Sequence, residues 1–165
     1  MKKNITIICL LSKFRQKVAK TLADELEMFY ADVNEIMEYN LINSEMLEKA
    51  GQAYFDENEQ KTLKTIASYE NTILTLNYST LNKNDNFELL KRNTLIIFIE
   101  LDYSSFSLLN HEENSSPLAK INEIAFEDRT RNISSLSDIV VRESVADVSL
   151  TINDIIKSIN DYFAN

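Results

Sequence analysis

Glycine is almost missing from this chain. Gly51 is the single one in 165 residues, where ordinary usage of about 7% would place roughly eleven. The shortage removes the residue that lets backbone approach a ligand closely or take left-handed dihedrals. Cysteine is equally scarce: Cys9 is the only one and lies in an apolar run, so no internal disulfide can form. A buried strand thiol in a reducing cytoplasm is the expectation. His111 is the only histidine, which excludes a Cys/His zinc cluster and argues against a Ser-His-Asp triad. Positive charge is short as well, since 17 Lys and Arg against 26 Asp and Glu leave a formal charge of -9. With no basic stripe for counterion release, nucleic acid is not an expected partner. The opening apolar run ends at Leu11, before Ser12, Lys13 and Arg15, and no small-residue cleavage site follows. Neither a signal peptide nor a membrane span is expected.

What is present is a 44% apolar chain, long enough for one domain with a real core, residues 1–165. Short apolar runs alternate with segments of helical spacing, the pattern of a parallel sheet with crossover helices. Strands are expected at 5–11, 29–32, 73–76, 95–101 and 139–141. Helices are expected at 13–26, 33–39, 44–49, 52–69, 85–92, 104–109, 118–131 and 150–163. Asn43-Ser44 reads as an N-cap, and Gly51 sits just past the end of that helix, where a left-handed residue is favoured. The stripe Ile152, Ile155, Ile156, Ile159 and Phe163 reads as core rather than as a partner surface. Residues 110–117, polar and aperiodic, mark an exposed loop that is either a connector or a lid over a site. Residues 82–86 mark a second polar turn.

The first unit is therefore a strand, a turn at 12–16 and a helix carrying Val18, Leu22 and Leu26. In many kinases that turn is a glycine-rich loop whose backbone N–H groups wrap phosphate. Here the loop position is present without its glycines. The segment "NITIICLLSKFRQKVAKTLADELEMFYADVNEIME" (Asn4 to Glu38) runs without a gap alongside the strand, phosphate loop, helix and Asp-x-Asp segment of the shikimate kinases. The parallel continues through "GQAYFDENE" (Gly51 to Glu59), "SPL" (Ser116 to Leu118) and "FEDRTRNISSLSDIVV" (Phe126 to Val141). The chain thus resembles that family over nearly its whole length. The resemblance implies a three-layer α/β/α P-loop kinase-like fold with a central five-stranded parallel sheet. It also implies, for the family, MgATP-dependent phosphorylation of shikimate in aromatic amino acid biosynthesis.

The residues that would carry this chemistry depart from the family's pattern. Where the phosphate loop reads G-x-x-G-x-G-K-[ST]-[ST], this chain has Cys9-Leu10-Leu11-Ser12-Lys13-Phe14-Arg15-Gln16-Lys17. Phe14 replaces the glycine before the lysine, and forcing a bulky residue into left-handed dihedrals costs about 1–3 kcal/mol. Arg15 takes the lysine position, with a planar fork instead of a point charge. Gln16 replaces the hydroxyl that would hold magnesium. Asp32 survives, but Asn34 stands for the second aspartate, and a carboxamide cannot accept the proton of an acceptor hydroxyl. Asp56 inverts the charge of the family's first substrate arginine. Asn77-Tyr78-Ser79 replaces a triple glycine, and Ser116 replaces the lid arginine before Pro117.

Glu59 and Arg129 match substrate-side residues of the family. Their bland readings are a solvated surface acid and a salt bridge to Glu127, Asp128 or another acid. Lys13, Arg15 and Lys17 at a helix start read either as an anion-attracting cluster or as a solvated face. Two functional readings stand on these residues. One is a shikimate-kinase-like pseudoenzyme with no bound cofactor or metal, retaining Ser12, Lys13, Arg15, Gln16 and Lys17 as a vestigial cofactor loop and Asn34, Asp56, Glu59 and Arg129 as a vestigial acceptor site. It would serve as a binding or regulatory protein, monomer or homodimer, with a protein partner. The other is a divergent small-molecule kinase using ATP and Mg2+, with Asp32 and Arg15 catalytic and Gln16 and Asp32 on the metal.

Overall fold

The computed structural model describes residues 4–113 and 121–164. Five strands, β1 (Asn4–Ile8), β2 (Phe29–Asp32), β3 (Thr72–Thr75), β4 (Thr94–Leu101) and β5 (Ile139–Glu143), form one sheet in the order β2-β3-β1-β4-β5. Every pairing is parallel, with Ile5 opposite Ile73 on one side and Leu95 on the other. Successive strand residues point to opposite faces. Ile5, Ile7, Ile97 and Ile99 therefore enter one core cluster, while Ile8, Ile96 and Phe98 enter the other.

Helices α1 (Ser12–Glu25) and α9 (Val148–Ala164) cover the first face with Val18, Leu22, Ile152 and Ile155. Helices α2 (Val33–Tyr39), α4 (Gln52–Ala67) and α6 (Asn84–Asn93) cover the second with Met37, Leu63, Ile66 and Leu90. Helix α7 (Tyr103–Glu113) adds Phe106 to the first cluster, and α8 (Glu123–Leu136) adds Phe126 to the first and Ile133 to the second. Each such side chain taken fully from water contributes about 1.5–3 kcal/mol. The short helices α3 (Ser44–Ala50) and α5 (Tyr78–Leu81) complete the chain. This is the three-layer arrangement around five parallel strands that the sequence pattern predicts. Among the described residues no helix is long and apolar enough to cross a membrane.

Several boundaries differ from expectation. The run from Ile5 to Leu11 is not all strand: β1 stops at Ile8, and Cys9, Leu10 and Leu11 form the whole connection to α1. Cys9 is buried as expected, but past the strand end. The turn expected at 12–16 is helix, because Leu11 and Phe14 are drawn into the first core cluster. The four-residue α5 carries no helical stripe long enough to read from sequence, and α6 already starts at Asn84 within the expected polar turn. Of the loop expected at 110–117, residues 110–113 extend α7, while 114–117, including Ser116 and Pro117, lie outside the described residues. The core stripe of α9 ends early, since Phe163 is 49% exposed.

The α3 start is as the sequence implies, with Asn43 Oδ1 accepting from the Met46 N–H at 3.2 Å. Gly51 then closes α3 and opens α4 at φ 86°, ψ 168°, a region that is essentially closed to other residues. Beyond its own chain neighbours no atom lies within 4 Å of a Cβ built there, so the constraint is backbone strain. Gly51→Ala is expected to lower the free energy of unfolding by about 1–3 kcal/mol. Urea denaturation of the two proteins measures this, and equal midpoints would mean that the α3–α4 junction relaxes without strain.

Candidate functional site

In open parallel sheets ligands bind beyond the carboxyl ends of the strands, at the point where the strand order reverses. Here that point lies at the end of β1, between β3 and β4. Three residues bridge β1 and α1, and Leu11 is the N-cap with φ -95° and ψ 104° and no side-chain cap. The N–H of Arg15 bonds the Leu11 carbonyl at 3.0 Å. The amide at the position of the family's lysine is therefore spent on the first turn of the helix. Phe14, expected to crowd the site, turns into the core at 6% exposure.

The residue that fills the interior is Arg15, at 2% exposure. Its guanidinium donates to the Cys9 carbonyl at 3.2 Å and to Asn77 Oδ1 at 2.9 Å, and lies 3.9 Å from Asp32 Oδ2. The expectation that Lys13, Arg15 and Lys17 form one exposed cluster is corrected: Lys13 and Lys17 are exposed, and Arg15 points inward. Ser12 and Gln16 are half-buried on the first turn of α1.

Asp32 is buried with both oxygens engaged. Oδ1 caps α2 by accepting from the Glu35 N–H at 2.9 Å, and Oδ2 accepts from Thr75 Oγ1 at 2.6 Å. Thr75 in turn lies 3.3 Å from the Tyr30 hydroxyl. Burial pushes that hydroxyl from 10.0 up to about 12, opposed by the bond to Thr75 and reinforced by Asp32 and Glu35. Asn34 accepts from the Asn77 N–H at 2.9 Å and donates to Thr80 Oγ1 at 3.4 Å. It fastens β2–α2 to β3–α5, which its amide can do and a second carboxylate beside Asp32 could do less well.

On the α4 side, Glu59 is not a solvated acid. It is 3% exposed and accepts from Thr80 Oγ1 at 2.8 Å, from Asn86 Nδ2 at 3.4 Å and from Lys83. Lys83 also donates to Asp56 Oδ1 at 2.7 Å. The inverted charge at position 56 is thus matched by a lysine from α6's N-cap, a residue that sequence reading passed over. Its only signal was a lone cation in a polar turn. Burial works against the charge on Lys83, yet its bonds to Asp56 and Glu59 prevail and hold its pKa above the ordinary lysine value. Hydrogen bonds from Lys83 and from Gln52 hold Asp56 below the usual carboxylate range.

Arg129 is half-buried and stacks over the Tyr78 ring at 4.9 Å. The salt bridge expected for it is absent among the described residues, where Asp128 pairs with Arg131 at 3.5 Å instead. The amide at Arg15 is committed, the Arg15 cation is enclosed, and both Asp32 oxygens already accept hydrogen bonds. Among the described residues no cluster of three or more His, Cys, Asp and Glu could hold a metal ion.

The shikimate kinase family profile matches residues 16–160. The chain is 25% identical to a shikimate kinase of Sulfurihydrogenibium sp., over 95% of this chain and 98% of that protein. Its fold is similar to the crystal structure of a shikimate kinase from Bacteroides thetaiotaomicron, with a TM-score of 0.79 at 14% identity over 95% of this chain and 98% of that one. A second similar fold is that of a shikimate kinase from Aquifex aeolicus, with a TM-score of 0.76 at 22% identity over 98% and 99% of the two chains.

Lys83→Ala leaves the buried Glu59 without its cation. It is expected to lower stability by about 1–3 kcal/mol, read from chemical denaturation, and an unchanged midpoint would mean that Thr80 and Asn86 suffice for Glu59. A second expectation concerns alkaline pH. The folded-state pKa of Tyr30 is raised, so its contribution is complete below 10.0 and is lost between 10.0 and about 12, as the unfolded chain ionises and the folded one does not. Lys83 acts in the same direction from 10.5 upward. Urea midpoints are expected to fall from pH 9 to roughly pH 11, and to fall less in Tyr30→Phe.

Proposed function

Given that this chain belongs to the shikimate kinase family, we propose that it is a non-catalytic member, a pseudoenzyme that keeps the family's fold and acts by binding rather than by phosphoryl transfer. The observation that carries this reading is the position of Arg15. Phosphoryl transfer depends on placing the γ-phosphate against backbone donors, a mobile cation, a metal and an acceptor base. In this chain the cation at the loop is enclosed at 2% exposure by Cys9, Asn77 and Asp32. The helix begins at Ser12, through the middle of the segment that would have to remain an open loop. The family profile matches from residue 16, so all but the last two positions of Cys9–Lys17 lie outside it. These observations support a degenerate phosphate loop that takes neither ATP nor Mg2+.

The acceptor side supports the same reading. Asn34 has no carboxylate to offer, and it spends its amide on Asn77 and Thr80. Asp56 and Lys83 satisfy one another where a substrate carboxylate would need a cation. A divergent kinase would require Arg15 and Asp32 both to leave their bonds, exposing two buried charges before any ligand contact forms. The proposed role is therefore a binding or regulatory one.

The test is purified protein from a host lacking its own shikimate kinase, assayed with shikimate and MgATP beside calorimetric titration of each ligand. Loss of one preorganised donor costs roughly 100- to 1,000-fold in kcat, so with several gone the expected turnover is indistinguishable from buffer, with no saturable heat from MgATP. Saturable MgATP binding together with turnover that disappears in Asp32→Ala would overturn the proposal.

A further inference from the structure

The end of α2 carries two apolar side chains into solvent, Tyr39 at 88% exposure and Leu41 at 68%. Their backbone is fixed. The N–H of Leu41 bonds the Glu38 carbonyl at 3.0 Å and that of Ile42 bonds the Met37 carbonyl at 2.8 Å, the two bonds of a Schellman motif. This motif sets Leu41 at φ 62°, in a position that commonly falls to glycine. Among the described residues the other non-glycine residues at positive φ are Glu27 and Asn71, both polar. Leu41 thus joins a left-handed backbone to an exposed apolar side chain, two costs that glycine would avoid. Strain kept at such a residue points to a use for its side chain.

Beside this knob runs a groove of about 500 Å³ between α2, α3 and α4. Its lining includes Ile36, Ile42 and Met46, with Tyr54 from the start of α4 and Tyr69 from just past its end. Lys61 is the only charged residue that lines it. Phe29, exposed at the start of β2, shares a strand face with Ala31 of the second core cluster. It therefore extends the apolar surface on the α4 side.

We propose that this surface is the interface of a two-fold homodimer, in which Tyr39 and Leu41 of each copy enter the α2–α3–α4 groove of the other. A knob beside its own groove is self-complementary about a two-fold axis, which satisfies both copies at once. Size agrees, since the two side chains hold about a dozen heavy atoms and a groove of this volume takes up a drug-sized molecule. Polarity agrees as well. A buried tyrosine hydroxyl needs a partner, and Thr62 and Thr65 donate their protons to the Asn58 and Lys61 carbonyls at 2.9 and 3.0 Å, leaving their oxygens to accept. Charge is complementary, with exposed Glu38 next to Tyr39 on the knob and Lys61 in the groove. The exposed parts of Tyr39, Leu41, Tyr54, Tyr69 and Phe29 amount to on the order of 600 Å² per copy, against about 800 Å² per partner in a standard interface. The dimer is therefore weak and depends on concentration. Because the Schellman bonds already hold the knob in place, little ordering is lost on association. None of Arg15, Asp32, Asn34 or Asn77 lines the groove, so the interface goes beyond the non-catalytic reading and does not depend on it.

The test is sedimentation equilibrium of the full chain across the micromolar range, where a reversible monomer–dimer equilibrium is expected. Tyr39→Ser removes an aromatic anchor and should weaken association about tenfold or more. Leu41→Gly should weaken it too, while its urea midpoint holds or rises as the left-handed position is relieved, which separates lost contact from lost fold. Glu38→Lys and Lys61→Glu each act twice in a two-fold dimer and should each weaken association roughly fivefold, with the double variant restoring it. Isotope-filtered NOEs between labelled and unlabelled copies should link the Tyr39 ring to the Thr62 and Thr65 methyl groups. A monomer at every concentration would overturn the proposal and leave the groove to another occupant. Association unchanged in Tyr39→Ser, or no restoration in the double charge variant, would overturn it equally. Those results would leave the non-catalytic reading intact, whereas turnover of shikimate would remove that reading without moving the association constant.

Discussion

A guanidinium enclosed at the end of the central strand is the constraint around which the rest of this site is arranged. A buried charge is tolerated when it is paired with groups that accept its hydrogen bonds. Arg15 therefore requires a carbonyl from the end of β1, the Asp32 carboxylate from the end of β2 and the Asn77 carboxamide after β3. Each of these partners is held in turn. Asp32 is fixed by the α2 amide and Thr75, and Asn77 by Asn34. The ends of three adjacent strands are thus tied through one side chain. A ligand entering that interior would have to replace every bond it broke, and each buried polar group left unpaired costs about 1–3 kcal/mol.

The same economy of charge governs the α4 side. Asp56 and Glu59 are three residues apart on one helix face, and two carboxylates so placed repel. Lys83, reaching in from the N-cap of α6, contacts both. Charge at position 56 was not simply inverted. The cation is supplied from another element, one ammonium shared between the two carboxylates. Arg129, left without an acid among the described residues, rests on the Tyr78 ring, an arrangement that retains its charge while shielding one face from water.

How much of this was legible in the sequence follows from what each feature depends on. The sheet was legible because strand residues at Ile5 to Ile8 and Leu95 to Leu101 are apolar on both faces, as a doubly covered parallel sheet demands. The caps at Asn43 and the turn at Gly51 were legible because they are local. The end of β1 was not, since Leu10-Leu11 extends an apolar run that reads as strand, whereas the structure ends the strand at Ile8 and starts α1 at Ser12, one residue from the expected start. The direction of Arg15 and the reach of Lys83 were also hidden. Both depend on partners 62 and 24 to 27 residues away in sequence, which periodicity cannot register. The missing glycines, the Asn34 substitution and the acid at position 56 were visible as departures, but not the bonds that compensate for them.

The fold can survive such changes because its core and its site draw on different parts of the same strands. Packing depends on strand interiors, where Ile7, Ile73, Leu74 and Ile97 are fully enclosed. The site depends on strand ends and the first helical residues after them, where side chains are polar and backbone groups are unpaired until a ligand or a neighbour satisfies them. In a ligand-occupied site that demand is met partly by the ligand. Here Arg15, Asn34, Asn77 and Lys83 meet it from within the chain, which makes the filled interior a stabilising part of the structure rather than an empty remnant. Any ligand is then left with the surfaces outside this network.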